Sequence, residues 1–242
     1  MTKTVFISDL HLEDSRPDVT RALLFFLQQY KGDCQALFIL GDLFEVWLGD
    51  DNSSPLIQQV ILSLREMSDS GAALYIMRGN RDFLLGNAFC DATGAQLLSE
   101  PTVIDLYGQP TLLLHGDSLC TDDTEYQIYR KKIRDPAAIG KLLAMSLKER
   151  STLARDLRKK SRTANSNKAE NIMDVNASAV EQIMAEYDVK QLIHGHTHRP
   201  ARHILKVNGA TAERFVLGDS NRKGWALRAS EKKIELYNFL LN

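Results

Sequence analysis

The chain has 242 residues, 44% apolar and 25% charged, close to an ordinary globular protein, which excludes disordered, collagen-like and low-complexity classes for its bulk. Its longest purely apolar run, Ala22 to Leu27, is far too short to span a bilayer. The formal net charge of -1 hides an asymmetry: residues 126–170 hold 13 Lys or Arg against four Asp or Glu, a local balance of +9 that leaves -10 for the rest.

The first residues run straight into Val5-Phe6-Ile7 without a basic leader or cleavage site, so a secretory signal is not expected. Cys34, Cys90 and Cys120 are scattered, odd in number and not at metal-ligand spacing, which fits a reducing cytosol better than a disulfide framework. In chain order, Thr4 to Ile7 reads as a short buried strand, Arg21 to Tyr30 as a helix with Pro17 near its start, and Ala36 to Leu40 as a second strand stopped by Gly41-Asp42. Leu56 to Asp69 is helix-like and ends at Gly71, and Ala73 to Met77 is a third strand stopped by Gly79-Asn80. Leu112 to Leu114 and Gln191 to Ile193 are further strands, and Arg214 to Leu240 is strand-rich, with turns expected near Gly218-Asp219 and Gly224. Tyr126 to Glu186 has no strand pattern and reads as a helical insertion, in which residues 161–167 are a polar loop or weak helix. Strands alternating with helices argue for an α/β core.

The insertion repeats Ile128, Ile133, Ile139, Leu142, Leu143, Leu147, Leu153 and Leu157 at roughly helical spacing. A basic amphipathic stretch of this kind can sit on an anionic surface or cover an anionic ligand. On pattern alone, a soluble helix pair with a solvated basic face is the simpler reading. Its aromatics, Tyr126 and Tyr129, cluster at one end rather than interleaving with the charges, so nucleic acid is not an expected partner.

Five apolar strands each end in a polar cluster: Asp9-Leu10-His11, Gly41-Asp42, Gly79-Asn80-Arg81-Asp82, His115-Gly116-Asp117 and Gly195-His196-Thr197-His198. Parallel strands would bring these ends to one edge, where open α/β sheets bind ligands. Carboxylate, amide and imidazole donors without cysteine suit divalent metals of intermediate hardness such as Mn²⁺ or Fe²⁺, with Zn²⁺ possible. Glycines beside Asp42, Asn80, His115 and His196 permit tight turns and close backbone approach. Of the six histidines, His203 stands apart and His194 can simply finish its strand, while Asp82 and Asp117 can serve by accepting hydrogen bonds from backbone amides or imidazoles.

The ordered series Asp-x-His, Gly-Asp, Gly-Asn, His-Gly-Asp, Gly-His-Thr-His resembles the calcineurin-like metallophosphoesterase superfamily. The resemblance implies an α/β fold, a two-sheet sandwich flanked by helices, with two metals at the strand ends. One metal would be held by Asp9, His11, Asp42 and His198, the other by Asp42, Asn80, His115 and His196. Many relatives have His after the Gly-Asn pair, where this chain has Arg81. A permanently charged guanidinium is a poor general acid but a good clamp for phosphoryl oxygens, which favours a phosphate leaving group.

Residues 41–51, 77–86 and 115–123, the N-terminal Phe-Ile-Ser-Asp-Leu-His-Leu and the basic insertion are similar to one branch of that superfamily. That branch uses Mn²⁺ at the inner face of the inner membrane of Gram-negative bacteria. The similarity implies hydrolysis of the pyrophosphate of a lipid-linked nucleotide sugar, UDP-2,3-diacylglucosamine, to UMP and 2,3-diacylglucosamine 1-phosphate in lipid A synthesis. The bond would break by attack of a metal-activated water on the uridine-side phosphorus. Residues 1–242 would form a single domain, with 122–187 a basic helical cap. Asn80, Arg81, Asp123, Ser161, Asn165, Lys168 and His196 would contact the substrate, and Ser161, Asn165 and Lys168 would share one helix face. Arg155, Arg158, Lys159 and Lys160 would favour the anionic membrane surface on which the protein sits peripherally, with no obligate protein partner.

Two other readings stay open: a relative acting on a cyclic nucleotide or soluble nucleotide sugar, and a binding module that lost the chemistry. Arg81 and the insertion speak against the first, and the complete set of ligand types against the second.

Overall fold

Successive residues of a strand point to opposite faces, and here both faces are covered. Val5 and Ile7 of β1 (Thr4–Ile7) join one apolar cluster while Phe6 joins another. The same alternation separates Leu37 and Ile39 from Phe38 and Leu40 in β2 (Ala36–Leu40), and Ile76 from Met77 in β3 (Ala73–Met77). The computed structural model describes residues 3–166, 174–220 and 223–241, without the side chains of 162–166.

β1, β2, β3 and β4 (Ala95–Leu98) are parallel, and β10 (Lys223–Ser230) and β11 (Lys233–Leu240) add an antiparallel hairpin beside β1. The sheet order is β11-β10-β1-β2-β3-β4. The second sheet consists of β5 (Thr102–Leu106), β6 (Gln109–Leu113), β7 (Gln191–His194), β8 (Ala201–Val207) and β9 (Ala210–Val216). Its order is β5-β6-β7-β9-β8, with β6, β7 and β9 parallel. The sheets meet through Phe6, Phe38, Leu40, Met77 and Leu227 on one side and Leu113, Ile193 and Phe215 on the other.

The outer faces are covered by helices. α1 (Pro17–Tyr30), α2 (Pro55–Asp69) and α3 (Asn87–Thr93) pack Leu23, Phe26, Val60, Leu64 and Phe89 on the first sheet. Between β6 and β7 come a 3₁₀ turn at Asp117–Leu119, α4 (Thr124–Ile133), α5 (Pro136–Leu143), α6 (Leu147–Ser166) and α7 (Ala177–Glu186). α7 packs Val180 and Met184 on the outer face of the second sheet. The result is the two-sheet sandwich flanked by helices expected from the sequence. The inserted helices start at side-chain caps: Asp123 accepts from the Tyr126 N–H, Asp135 from Ala137 and Ala138, and Asn176 from Ala179.

α1 begins at Pro17, the start the sequence suggests, because proline at the first position loses no hydrogen bond and Asp18 follows in the first turn. α6 continues through Ser166, so of the loop and helix alternatives for the polar stretch the helix holds over residues 161–166. One local expectation changes. Gly224 is no turn: it lies in β10 opposite Phe239, and a Cβ there would fall 2.2 Å from that ring, so the glycine makes room for the aromatic. α3, β4, β5 and β8 have no counterpart in the sequence pattern.

Candidate active site

The loops leaving β1, β2 and β3 meet those leaving β6 and β7 at one edge of the sandwich, where Asp42 stands between two groups of side chains. Its Oδ2 lies 3.9 Å from His11 Nε2 and its Oδ1 3.7 Å from His115 Nε2. On the first side, His11 Nε2 is 3.2 Å from His198 Nε2, itself 3.4 Å from Asp9 Oδ1. On the second, Asn80 Oδ1 lies 2.9 Å from both His115 Nε2 and His196 Nδ1.

The backbone holds these residues under strain. Asp9, His11, Asp42, His196 and His198 have φ of 54, 51, 53, 69 and 55°, and among the described non-glycine residues only Tyr107, Asp188 and Asn208 share that left-handed region. The Asp9 N–H donates to the Gly41 carbonyl at 3.1 Å and the His11 N–H to that of Asp42 at 3.0 Å, tying the first two loops together. Asp82, fully buried, accepts from the N–H groups of Gly79, Leu43 and Asp42 at 2.7, 2.8 and 3.3 Å. A Cβ on Gly79 would lie 2.0 Å from Asp42 Oδ1, and one on Gly195 2.3 Å from Asp9 Oδ2, so only glycine lets these loops approach.

The field is that of a cation site. Burial by itself raises a carboxyl pKa, yet the hydrogen bond from His198 and the nearby His115 and His11 hold Asp9 below the usual carboxylate range. Burial works against protonated His198 and His115, but Asp219 and Asp9 lift the first to about 10, and Asp42 and Asp117 the second to about 9. Burial, with His115 beside it, pushes His196 down to about 4, and burial also lowers His11. A field that stabilises positive charge at imidazole nitrogens equally stabilises a metal cation. The donor atoms of Asp9, His11 and His198, and those of Asp9, Asp42 and His115, lie within 4.8 Å of one another. Clustered oxygen and imidazole donors at this spacing fit divalent cations.

Beside the cluster lies a cavity of about 330 Å³, walled by Trp47, Phe83 and Leu84 of the body and by Tyr129, Ile133, Leu142, Leu153 and Leu157 of the inserted helices. Asn80 and Arg81 line it next to the cluster, and Asp123 and Ser161 line it from α4's cap and from α6. Arg81 donates its backbone N–H to Asp42 Oδ1 at 2.8 Å, and its buried side-chain Nε has no hydrogen-bond partner among the described residues. Asn165 lies on α6, but its side chain is outside the described residues, as is all of Lys168. His194 stays apart, bonding the Gly195 carbonyl and Arg214.

Three residues escaped the sequence reading. Glu45 Oε2 lies 2.7 Å from His11 Nδ1, Asp219 Oδ2 3.1 Å from His198 Nδ1, and Tyr126 stacks on the His196 ring while donating its hydroxyl to Asp117 at 2.7 Å. Asp219 follows an apolar strand through a Gly-Asp pair, the same signal that marked Asp42, but that pair reads equally well as a turn.

The inserted helices also explain the charge asymmetry. Arg130 donates to Asp117 and Glu100 at 2.8 and 2.7 Å, Arg134 pairs with the same two, Arg150 with Asp51, and Arg158 with Glu45. Part of the basic face therefore meets the acidic body. Arg158, expected on an outward face, is turned inward because a buried carboxylate lies beneath it.

The calcineurin-like phosphoesterase family matches residues 2–200. A UDP-2,3-diacylglucosamine hydrolase of Cellvibrio japonicus (strain Ueda107) is 52% identical over 236 residues, covering 98% of both chains. That of Marinobacter nauticus (strain ATCC 700491 / DSM 11845 / VT8) is 52% identical over 230 residues, 95% of this chain and 94% of its own. That of Pseudomonas aeruginosa (strain UCBPP-PA14) is 51% identical over 223 residues, 92% of this chain and 93% of its own. The family match spans every loop that feeds the cluster, and half the residues agree along nearly the whole chain: this protein belongs to the calcineurin-like phosphoesterase family.

Proposed function

We propose that this protein hydrolyses the pyrophosphate of UDP-2,3-diacylglucosamine to UMP and 2,3-diacylglucosamine 1-phosphate, a step of lipid A synthesis. The observation that carries the reading is the juxtaposition of a largely apolar cavity with a cluster of cation-binding donors, joined at Asn80 and Arg81. A substrate with acyl chains at one end and a pyrophosphate in the middle needs both. Relatives at about 50% identity bear the name of that activity.

Two Mn²⁺ ions, one on Asp9, His11, Asp42 and His198 and one on Asp42, Asn80, His115 and His196, would supply an activated water and neutralise phosphoryl charge. The chain's own residues do the rest. The guanidinium of Arg81 pairs with phosphoryl oxygens and offsets the charge that develops as the bond to the sugar phosphate breaks. Because the leaving phosphate needs no proton, a permanently charged residue serves where an imidazole would otherwise be needed. Asp123, Ser161, Asn165 and Lys168 take the glucosamine and its phosphate, and α4 to α6 form a cap whose inner leucines cover the acyl chains.

We infer a peripheral position on the cytoplasmic face of the inner membrane. Exposed Ile128, Leu143 and Leu147 on basic helices support contact with anionic lipid, and no helix among the described residues is long and apolar enough to cross a membrane. The test is hydrolysis in ¹⁸O-water with Mn²⁺ or with chelator, beside UDP-N-acetylglucosamine and a generic diester. Metal-dependent ¹⁸O in UMP from the acylated substrate alone is the expected result. Turnover of the diester with none of the lipid would overturn the substrate.

A further inference from the structure

Glu45 stands between the metal-binding cluster and the cap. It is buried in the segment that follows β2, with Oε2 2.7 Å from Nδ1 of His11 and Oε1 ion-paired with Arg158 of α6. The contact with His11 is close, although Nδ1 makes no hydrogen bond among the described residues. Nε2 of the same ring faces His198. His11 is thus held from both ends, by the cluster at Nε2 and by a carboxylate at Nδ1. A carboxylate on the far nitrogen of a ligating imidazole fixes the ring and makes it a stronger donor. The other oxygen of this carboxylate is paired with the cap through Arg158.

We infer that Glu45 is a positioning residue that couples the seating of α6 to the orientation of His11, so that cap docking and cation binding favour each other. The inference rests on His11 being a metal ligand, as proposed above. With α6 seated, Arg158 fixes Oε1 and leaves Oε2 directed at His11. With α6 lifted, the carboxylate loses its anchor and the imidazole its orienting charge. Linkage makes the effect reciprocal: a cation that draws His11 into place stabilises the seated helix to the same degree. The neighbouring pair of Arg150 with Asp51 also holds α6, but Asp51 has no contact with the cluster among the described interactions.

The experiment measures Mn²⁺ binding to the metal-stripped full-length protein, by the electron paramagnetic resonance of free Mn²⁺, with amide exchange in α6 followed on the same samples. Glu45→Gln, of equal volume, should weaken one Mn²⁺ site by about 10–100-fold. Arg158→Met should weaken the same site several-fold in the wild-type background and not at all when combined with Glu45→Gln. Mn²⁺ should slow exchange in α6 of the wild type and leave it unchanged in Glu45→Gln. Unaltered affinity in Glu45→Gln, or an Arg158→Met effect that persists in the double variant, overturns the coupling. His11→Ala separates the two ideas: if it binds both ions as the wild type does, the ligand assignment itself fails; if it loses one while Glu45→Gln does not, only the coupling fails.

Discussion

The Nε2 atoms of His11 and His198 face each other at 3.2 Å, with Asp9 and Asp42 carboxylates within 4 Å of the pair. Two basic nitrogens and two acids at that spacing form a pocket for positive charge. Loss of His11 or Asn80 removes a donor without touching the apolar core. His11→Ala and Asn80→Ala should each lower turnover by about 100-fold or more with circular dichroism unchanged. Chelator should silence the wild type, and added Mn²⁺ should restore it. Near-normal rates in either variant would disprove the ligand assignment.

Arg81 presents a buried Nε without a partner among the described residues, beside the cluster. Arg81→Ala should cost about 100-fold in kcat, the effect of removing one preorganised donor to a developing negative charge. Arg81→Lys should recover only part, since an ammonium cannot pair two oxygens in the guanidinium's geometry. Steady-state kinetics on the acylated substrate decide it, and full recovery by lysine would reduce the role to bulk charge.

Leu157 lines the cavity from α6. A larger side chain there shortens the space for acyl chains and leaves the phosphates untouched. Leu157→Trp should lower kcat/KM for long-chain substrate by about tenfold or more, with much less effect on a short-chain analogue. Equal losses on both would place the chains elsewhere.

Asp117 is fully buried and takes Arg130, Arg134 and the Tyr126 hydroxyl. Burial works to raise its pKa, but Arg134, His115 and Arg130 outweigh it and hold the carboxyl well below the usual range. A depressed native pKa contributes stability that is complete above the unfolded value, about 3.9, and is lost as pH falls below it. Asp117→Asn should therefore cost about 1–3 kcal/mol at neutral pH, because Arg130 and Arg134 lose one of their two carboxylates and keep Glu100. Its stability should also fall less steeply than the wild type's below about pH 4. Denaturant melts across that range measure both.

The candidate ligands were legible because each follows directly on an apolar strand, and parallel strands send such residues to one edge. The reading of Thr4 to Ile7 as a buried strand agrees with the structure, which adds that Val5 and Ile7 face one apolar cluster and Phe6 the other. Glu45 was not legible. Within Leu43-Phe44-Glu45-Val46-Trp47 it reads as a polar residue interrupting a core segment, and its partner Arg158 is 113 positions away in sequence, beyond any local pattern. The inward turn of Arg130, Arg134, Arg150 and Arg158 was hidden for a related reason. Helical spacing says which residues share a face, but not whether that face meets water or an acidic body.

The left-handed backbone at Asp9, His11, Asp42, His196 and His198 sets stability against activity at these positions. Histidine there costs about 1–2 kcal/mol that glycine would not, and aspartate somewhat less. Replacement of His198 by glycine would relax the loop after β7 while deleting a donor, so mutants selected only for thermal tolerance would drift toward an inert protein. Aspartate and histidine at five strained positions mark a fold held below its own best stability by the chemistry at its edge.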